Sequence, residues 1–218
     1  MRIAIVGGHG KVARQLHPLL VAAGHTPLAL VRSEAYRAEL EGLGAEVGLL
    51  DVEHDEAEAF GEAFADCEAV VFAAGGGPDG NAERKRTVDL GGSLKSIDGA
   101  HQAEISRFVQ VSAIGVDVPV PAETEPVWRA YVEAKRDADL ALRSSDLAWT
   151  ILRPGRLTDD PATGLVALGP DTGRGEIARA DVAATVVAVL EDETSIGRQW
   201  DLITGEVPIA EAVRRAGA

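Results

Sequence analysis

Short, uniformly apolar runs alternate with segments of helical periodicity along this chain, and that alternation restricts its fold more than any other feature. The runs lie at residues 2–7, 27–32, 46–50, 69–74, 107–112, 148–153 and 199–203. After the first run, Val12, Leu16, Leu19, Leu20 and Ala23 fall on one helical face, and Gly24 is a natural stop. Further helices are expected from Ser33 towards Gly42 and over residues 56–64, 87–102, 126–143, 181–190 and 208–216. Strands that are apolar on both faces belong in a parallel sheet covered by helices on each side. The expected fold class is therefore α/β, with a doubly wound parallel sheet.

At 218 residues the chain is ample for one core and short for two. Residues 1–218 are expected to form a single domain, with a small substrate-side segment over residues 155–218. Two local features conflict with the helix pattern. Pro18 removes a hydrogen bond inside residues 11–23, and Gly91-Gly92 lowers helix propensity while permitting close packing. The run Gly75-Gly76-Gly77-Pro78 is a turn, and residues 115–125, rich in proline and acid, form a loop placed to act as a lid.

Composition excludes several classes of protein. No apolar run is long enough to span a bilayer, and the N-terminus enters a strand at once, so a cytoplasmic protein without a membrane partner is expected. A lone cysteine, Cys67, rules out an internal disulfide and reads as a small core-edge residue. A net charge of −14 repels nucleic acid, but it leaves room for an anionic cofactor held by local charge and backbone N–H groups. No metal site is expected. The partner is a small-molecule substrate, and the chain is a monomer or homodimer.

Ligands of doubly wound sheets bind outside the carboxyl ends of the strands. After the first run stands Gly7-Gly8-His9-Gly10-Lys11-Val12-Ala13, a G-x-x-G-x-x-A turn between a strand and an amphipathic helix. Gly7 allows the tight turn, Gly10 lets a pyrophosphate approach, and the helix N-terminus at Lys11 and Val12 faces the phosphates. This is the dinucleotide-binding turn of a Rossmann-type domain. His9 is a polar residue of the turn. Lys11 is either a cation beside the phosphates or a solvated first-turn lysine.

Where an NAD site places a carboxylate after the second strand, this chain has Arg32-Ser33. A guanidinium holds a 2′-phosphate that a carboxylate repels, so NADP(H) is favoured over NAD(H). Asp51 and Val52 are placed to receive the adenine, and Ala73, Ala74 and Gly75 are small enough for the ribose to lie close. Tyr131 and Lys135 share a helix face at i and i+4. An ammonium beside a phenol favours tyrosinate, which makes Tyr131 a general acid–base for a carbonyl–alcohol interconversion. Lys135 also reaches a nicotinamide ribose. Ser112, at the end of the fifth strand, is placed to donate to the carbonyl oxygen. Asp137 and Asp139 read as solvated helix charges.

Together these residues resemble the short-chain dehydrogenase/reductase superfamily, in particular its atypical NmrA-like and biliverdin reductase B-like branch. The resemblance also rests on Val88-Asp89-Leu90-Gly91-Gly92, residues 107–112, Thr150-Ile151-Leu152-Arg153-Pro154-Gly155 and residues 177–183. It implies Ser112, Tyr131 and Lys135 as the catalytic set and places Pro154 and Gly155 near the nicotinamide. Asp89 departs from the asparagine that many extended relatives carry, and the chain after Gly155 is short for the lobe of a nucleotide-sugar epimerase. The reading is an NADP(H)-dependent reductase of a small carbonyl, quinone or flavin-like acceptor. The alternatives are a non-catalytic NADP(H) sensor acting through a protein partner, and a small-sugar epimerase or dehydratase.

Overall fold

The computed structural model describes residues 1–77 and 80–218. Strand β1 (Arg2–Val6) leads into helix α1 (Lys11–Ala22), followed by β2 (Thr26–Val31), α2 (Arg37–Gly42), β3 (Glu46–Leu49), α3 (Ala57–Ala63) and β4 (Ala69–Phe72). A single turn, α4 (Ala82–Arg84), runs through a π-helical stretch, Lys85–Gly91, into α5 (Gly92–Gln102). Then come β5 (Arg107–Val111), α6 (Pro126–Arg143) and β6 (Ala148–Pro154). The C-terminal part holds β7 (Arg156–Thr158), β8 (Leu165–Gly169), β9 (Glu176–Ala178), α7 (Arg179–Leu190), β10 (Arg198–Thr204), β11 (Val207–Pro208) and α8 (Ile209–Gly217).

The main sheet runs β3-β2-β1-β4-β5-β6-β10-β8-β11. All pairings from β3 to β10 are parallel, and β8 pairs antiparallel with β10 and β11. Alternate residues of each strand feed opposite faces. Ile3 and Ile5 pack with Leu16 and Leu20 of α1 and Val182 and Val186 of α7. Ala4 and Val6 pack with Phe60, Phe64 and Ile97 on the other side. Both faces are dry, as expected for a Rossmann-type doubly wound sheet. The strand order reverses direction between β1 and β4, the place where such sheets bind ligands.

Several expectations change in detail. The helix foreseen over residues 87–102 begins earlier and with a widened π-helical turn. Gly92 is needed there, because a Cβ would stand 2.3 Å from Val52 Cγ1. Strands β7, β8 and β9 were not anticipated: β7 and β9 are three residues each, and the apolar run of β8, Leu165-Val166-Ala167-Leu168, enters the sheet antiparallel, outside the strand–helix alternation. Pro18 is exposed on the outer face of an unbroken α1. The carbonyl it leaves unbonded, four residues back, shares that outer face and has water within reach. Pro78, expected to close the turn after β4, lies outside the described residues. Trp200 is core and Trp149 is partly buried, whereas Trp128 is exposed. No helix among the described residues is long and apolar enough to cross a membrane.

Candidate dinucleotide and catalytic site

A groove of about 260 Å³ opens at the carboxyl ends of β1 to β4. Of the residues expected to bind cofactor, Gly7, His9, Gly10, Arg32, Asp51, Val52, Ala73, Ala74 and Gly75 line it. Gly7 turns the chain at φ +82°, and a Cβ on it would stand 2.7 Å from the Ala74 backbone. Gly10 N–H donates to Gly7 O at 2.8 Å and closes the turn. Helix α1 then starts with no side-chain cap and no acid in its first turn. Its free N–H groups and positive dipole end are left for an anion.

Among the described residues no hydrogen bond or ion pair occupies the Arg32 guanidinium, which is exposed at the groove. Ser33 caps a short 3₁₀ turn, Glu34–Tyr36, through a bond from Ala35 N–H. The His9 and Tyr36 rings stack at 3.8 Å between centroids, and His9 Nε2 meets Glu39 at 3.0 Å. Tyr36 is a groove residue that the sequence reading missed, as are Glu53, Arg84 and Val88. Nothing in the linear pattern marks them, because their elements reach the groove only through the sheet order. The Asp51 carboxylate accepts the Glu53 and His54 N–H groups and faces His54 Nδ1 at 3.1 Å. Burial works against this carboxylate, yet those bonds hold it below its ordinary value.

Other expected cofactor residues sit differently. Val12 is buried in the core under the turn. Lys11 is not among the residues lining the groove and pairs with Asp159 at 2.7 Å. Pro154 and Gly155 end β6, where Gly155 N–H donates to Leu202 O at 2.9 Å. Ser112, Lys135, Pro154 and Gly155 fall outside the groove's lining, further along the sheet.

The catalytic candidates gather above β5. Lys135 is buried on α6, its Nζ 3.3 Å from Asp89 Oδ1 and 3.2 Å from Val111 O. Asp89 in turn accepts Gly76 N–H at 2.8 Å, which joins the loop after β4 to the lysine. Burial opposes the ammonium, but the charge of Asp89 and the nearby Tyr131 and Asp139 keep its pKa raised. For Tyr131, burial pushes the phenol up, Lys135 pulls it down, and Asp89 and Asp139 push it up again. In the chain alone the phenol is thus biased away from tyrosinate, chiefly because burial disfavours the charged form, with Asp89 and Asp139 adding to it against the Lys135 ammonium. Lys85 lies 6.0 Å from the Tyr131 ring centre, and the Trp128 ring 5.3 Å from it.

Asp139 is not a solvated charge. It is fully buried and accepts Ser112 Oγ at 2.9 Å, Gln110 Nε2 at 2.7 Å and Arg153 Nε at 2.8 Å. Arg153 Nη1 also holds Asp117 at 2.6 Å, which anchors the loop of residues 115–125 near its start. Asp137, by contrast, pairs with its neighbour Arg136 near the surface. Position i+4 from Lys135 on the same face was the available clue to Asp139.

A parallel sheet with a glycine turn at its switch point, an uncapped helix above it and a free arginine at the rim defines a dinucleotide-binding Rossmann protein. The residues present fit the cofactor: Gly7 and Gly8 pack the turn tight on Ala74 and Ala29, where a Cβ would stand 2.7–2.8 Å away, and the uncapped start of α1 leaves N–H groups for its phosphates beside the groove. Residues 7–193 match the family described as NAD(P)H-binding, and the chain belongs to that family. It is 37% identical to the uncharacterized sugar epimerase YhfK of Bacillus subtilis, over 99% of this chain and 100% of that one. A Bacillus halodurans structure, provisionally assigned as an NAD-dependent epimerase/dehydratase, superposes with a TM-score of 0.91 at 38% identity over 99% of both chains. ChuY, an anaerobillin reductase of Escherichia coli O157:H7, superposes at 0.77 with 25% identity, over 95% of this chain and 98% of that one. The fold is that of the atypical short-chain dehydrogenases/reductases, and the chain is of an NAD(P)-binding oxidoreductase/epimerase family.

Proposed function

We propose that this protein is an NADPH-dependent reductase of a small carbonyl, quinone or flavin-like acceptor, with Tyr131 as its general acid. The observation that carries the reading is the buried Lys135 ammonium, fixed by Asp89 and the Val111 carbonyl one helical turn from Tyr131. Arg32, unoccupied at the groove rim, supports the choice of NADPH, since a guanidinium matches a 2′-phosphate. The name of ChuY as a reductase agrees with it.

The reduced dinucleotide, when bound, supplies the hydride. Gly7, Gly10 and the first turn of α1 hold the phosphates, and Ala73 to Gly75 leave room for the ribose. Tyr131 gives its proton to the acceptor oxygen and is reprotonated from solvent. Lys135 steadies the phenolate that remains. A phenol with a raised pKa is protonated at neutral pH, which suits an acid in the reductive direction.

The test follows NADPH absorbance with a panel of carbonyls, quinones and flavins. Wild type should consume NADPH with at least one acceptor. Tyr131→Phe should lower turnover by about 10²–10⁴-fold with cofactor affinity unchanged. An active wild type whose Phe variant keeps its full rate removes Tyr131 from the mechanism, and no consumption with any acceptor favours the sensor reading.

A further inference from the structure

Lys11, at the first position of α1, and Arg179, at the first position of α7, converge on one carboxylate, that of Asp159. The distances are 2.7 Å to Lys11 Nζ and 2.6 Å to Arg179 Nη1. Asp159 is not on a loose loop. In the small parallel pair of β7 and β9, Thr158 stands opposite Ala178, so Asp159 and Arg179 are the next residues on each side. The chain beyond is pinned by Asp181, fully buried, which accepts Thr163 N–H, Gly164 N–H and the Thr163 hydroxyl. The fold therefore holds a carboxylate on the ammonium of the first residue of α1, the helix whose N-terminus has no side-chain cap and would receive a dinucleotide pyrophosphate.

We infer that Asp159 is an internal stand-in for the cofactor pyrophosphate, and that Lys11 and Arg179 leave it for the phosphates when the dinucleotide binds. This assigns Arg179, 168 positions after Lys11 in the chain, as a pyrophosphate-binding residue contributed by the C-terminal segment. The exchange costs little. Lys11 and Asp159 are both more than half exposed, and exposed ion pairs of this kind contribute little to stability. The carboxylate left behind is hydrated, while the two cations meet a doubly charged group at the positive end of a helix. Arg179 is the better held of the two cations, with most of its side chain covered. It needs only to turn its guanidinium, whereas Lys11 swings through solvent. Asp159 remains nearby and opposes the pyrophosphate, so it sets the cofactor affinity below what the two cations alone would give.

The inference rests on a dinucleotide at the glycine turn and not on the choice of NADP or on turnover. It is tested by titrating NADP⁺ into the full chain by calorimetry. Asp159→Asn should tighten binding by about threefold or more, and Arg179→Gln and Lys11→Gln should each weaken it by about three- to tenfold. Asp160→Asn removes the same charge one residue away, on an exposed side chain, and should leave affinity unchanged. Weaker or unchanged binding by Asp159→Asn overturns the inference, since weakening would mean that Asp159 clasps the segment over the bound cofactor. Equal tightening by Asp160→Asn overturns it as well, as an effect of net charge. Unchanged binding by Arg179→Gln, with its melting curve intact, removes the assignment of Arg179. The probe 2′-AMP, which lacks the pyrophosphate, separates this inference from the NADPH reading: its affinity should depend on Arg32 and be indifferent to Asp159. If Arg32→Asp leaves 2′-AMP unaffected while Asp159→Asn tightens NADP⁺, the 2′-phosphate reading fails and the stand-in holds.

Discussion

The Ser112 hydroxyl donates to Asp139, a carboxylate fully buried on α6, at 2.9 Å. A hydroxyl has one proton and an ionised carboxylate only accepts, so Ser112 offers lone pairs, not a donor, to anything beyond it. In this arrangement its proton is not free for a substrate oxygen, and in the proposed reaction the donor to a carbonyl is Tyr131. The pair belongs to a buried set that Arg153 completes at 2.8 Å. Asp139→Leu should destabilise the fold by about 3–5 kcal/mol, because it strips a buried guanidinium of one of its two counterions. Ser112→Ala leaves Gln110 and Arg153 on the carboxylate and should cost about 1 kcal/mol. Urea unfolding of both variants checks this, and equal losses would mean that the charge pair contributes nothing beyond the hydroxyl bond.

The glycines of the turn should separate folding from binding. Gly7 has φ +82° and no room for a Cβ against Ala74, so Gly7→Ala should destabilise by about 1–3 kcal/mol. At Gly10 the backbone is extended and the nearest obstacle to a Cβ is Gly7 O at 3.0 Å. Gly10→Val should keep the fold by circular dichroism and lose NADP(H) binding. A Gly10 variant that binds as wild type would show that the turn is structural alone.

Arg32 stands where the cofactor's 2′ position is discriminated in a site of this kind. Its guanidinium is committed to nothing among the described residues, and Ser33 beside it spends its hydroxyl on the cap of the following turn. NADPH should bind more tightly than NADH. Arg32→Asp should weaken NADPH by about 1.5–3 kcal/mol, the worth of a hydrogen bond to a charged group, and affect NADH far less. Calorimetry with both cofactors decides it; equal wild-type affinities would refute the preference.

Stability should fall on mild acidification through His17. This imidazole is fully buried, with Nε2 2.7 Å from the Gly8 carbonyl and Nδ1 without a hydrogen-bond partner among the described residues. Burial lowers its pKa from 6.5, although the Gly8 carbonyl pulls the other way. The unfolded chain then takes up a proton before the folded chain does. Its stabilising effect is intact above the unfolded value and is lost as pH falls below it, until the folded group also titrates. Urea midpoints between about pH 7.5 and about pH 5.5 should fall in wild type and fall less in His17→Gln. Identical slopes in the two proteins would rule His17 out.

The division between what could and could not be read from the sequence has a physical basis. The sheet, the glycine turn and Arg32 were legible because each is local: periodicity, a positive φ and a residue type at a strand end. The roles of Asp139, Asp159 and Arg179 were not. They arise from pairs distant in the chain, as with Lys11 and Asp159, 148 positions apart. Asp139 differed locally from Asp137 only in standing i+4 from Lys135, and its bonds to Gln110 of β5 and Arg153 of β6 are what make it a buried charge. Strands β7 and β9 were missed because they are three residues each, and β8 because its apolar run joins the sheet antiparallel, outside the strand–helix alternation that marked the others.

The Tyr131 phenol lies between opposing charges. Its pKa is raised by burial, lowered by Lys135 and raised by Asp89 and Asp139, so the balance can be shifted from either side. The chain has two tyrosines, and a Tyr36→Phe background leaves Tyr131 as the only phenol to titrate. Tyrosinate absorbance in that background should appear at higher pH than for a free phenol. Asp89→Asn removes a negative charge beside Lys135 and should move the transition to lower pH. Lys135→Met removes the cation and should move it higher still. NADP⁺ brings a positive ring to the site and should lower it, which links cofactor binding to the acid–base group without any substrate in hand. If none of the three changes shifts the titration, Lys135 and Asp89 do not act on Tyr131 electrostatically, and the lysine serves packing and the ribose alone.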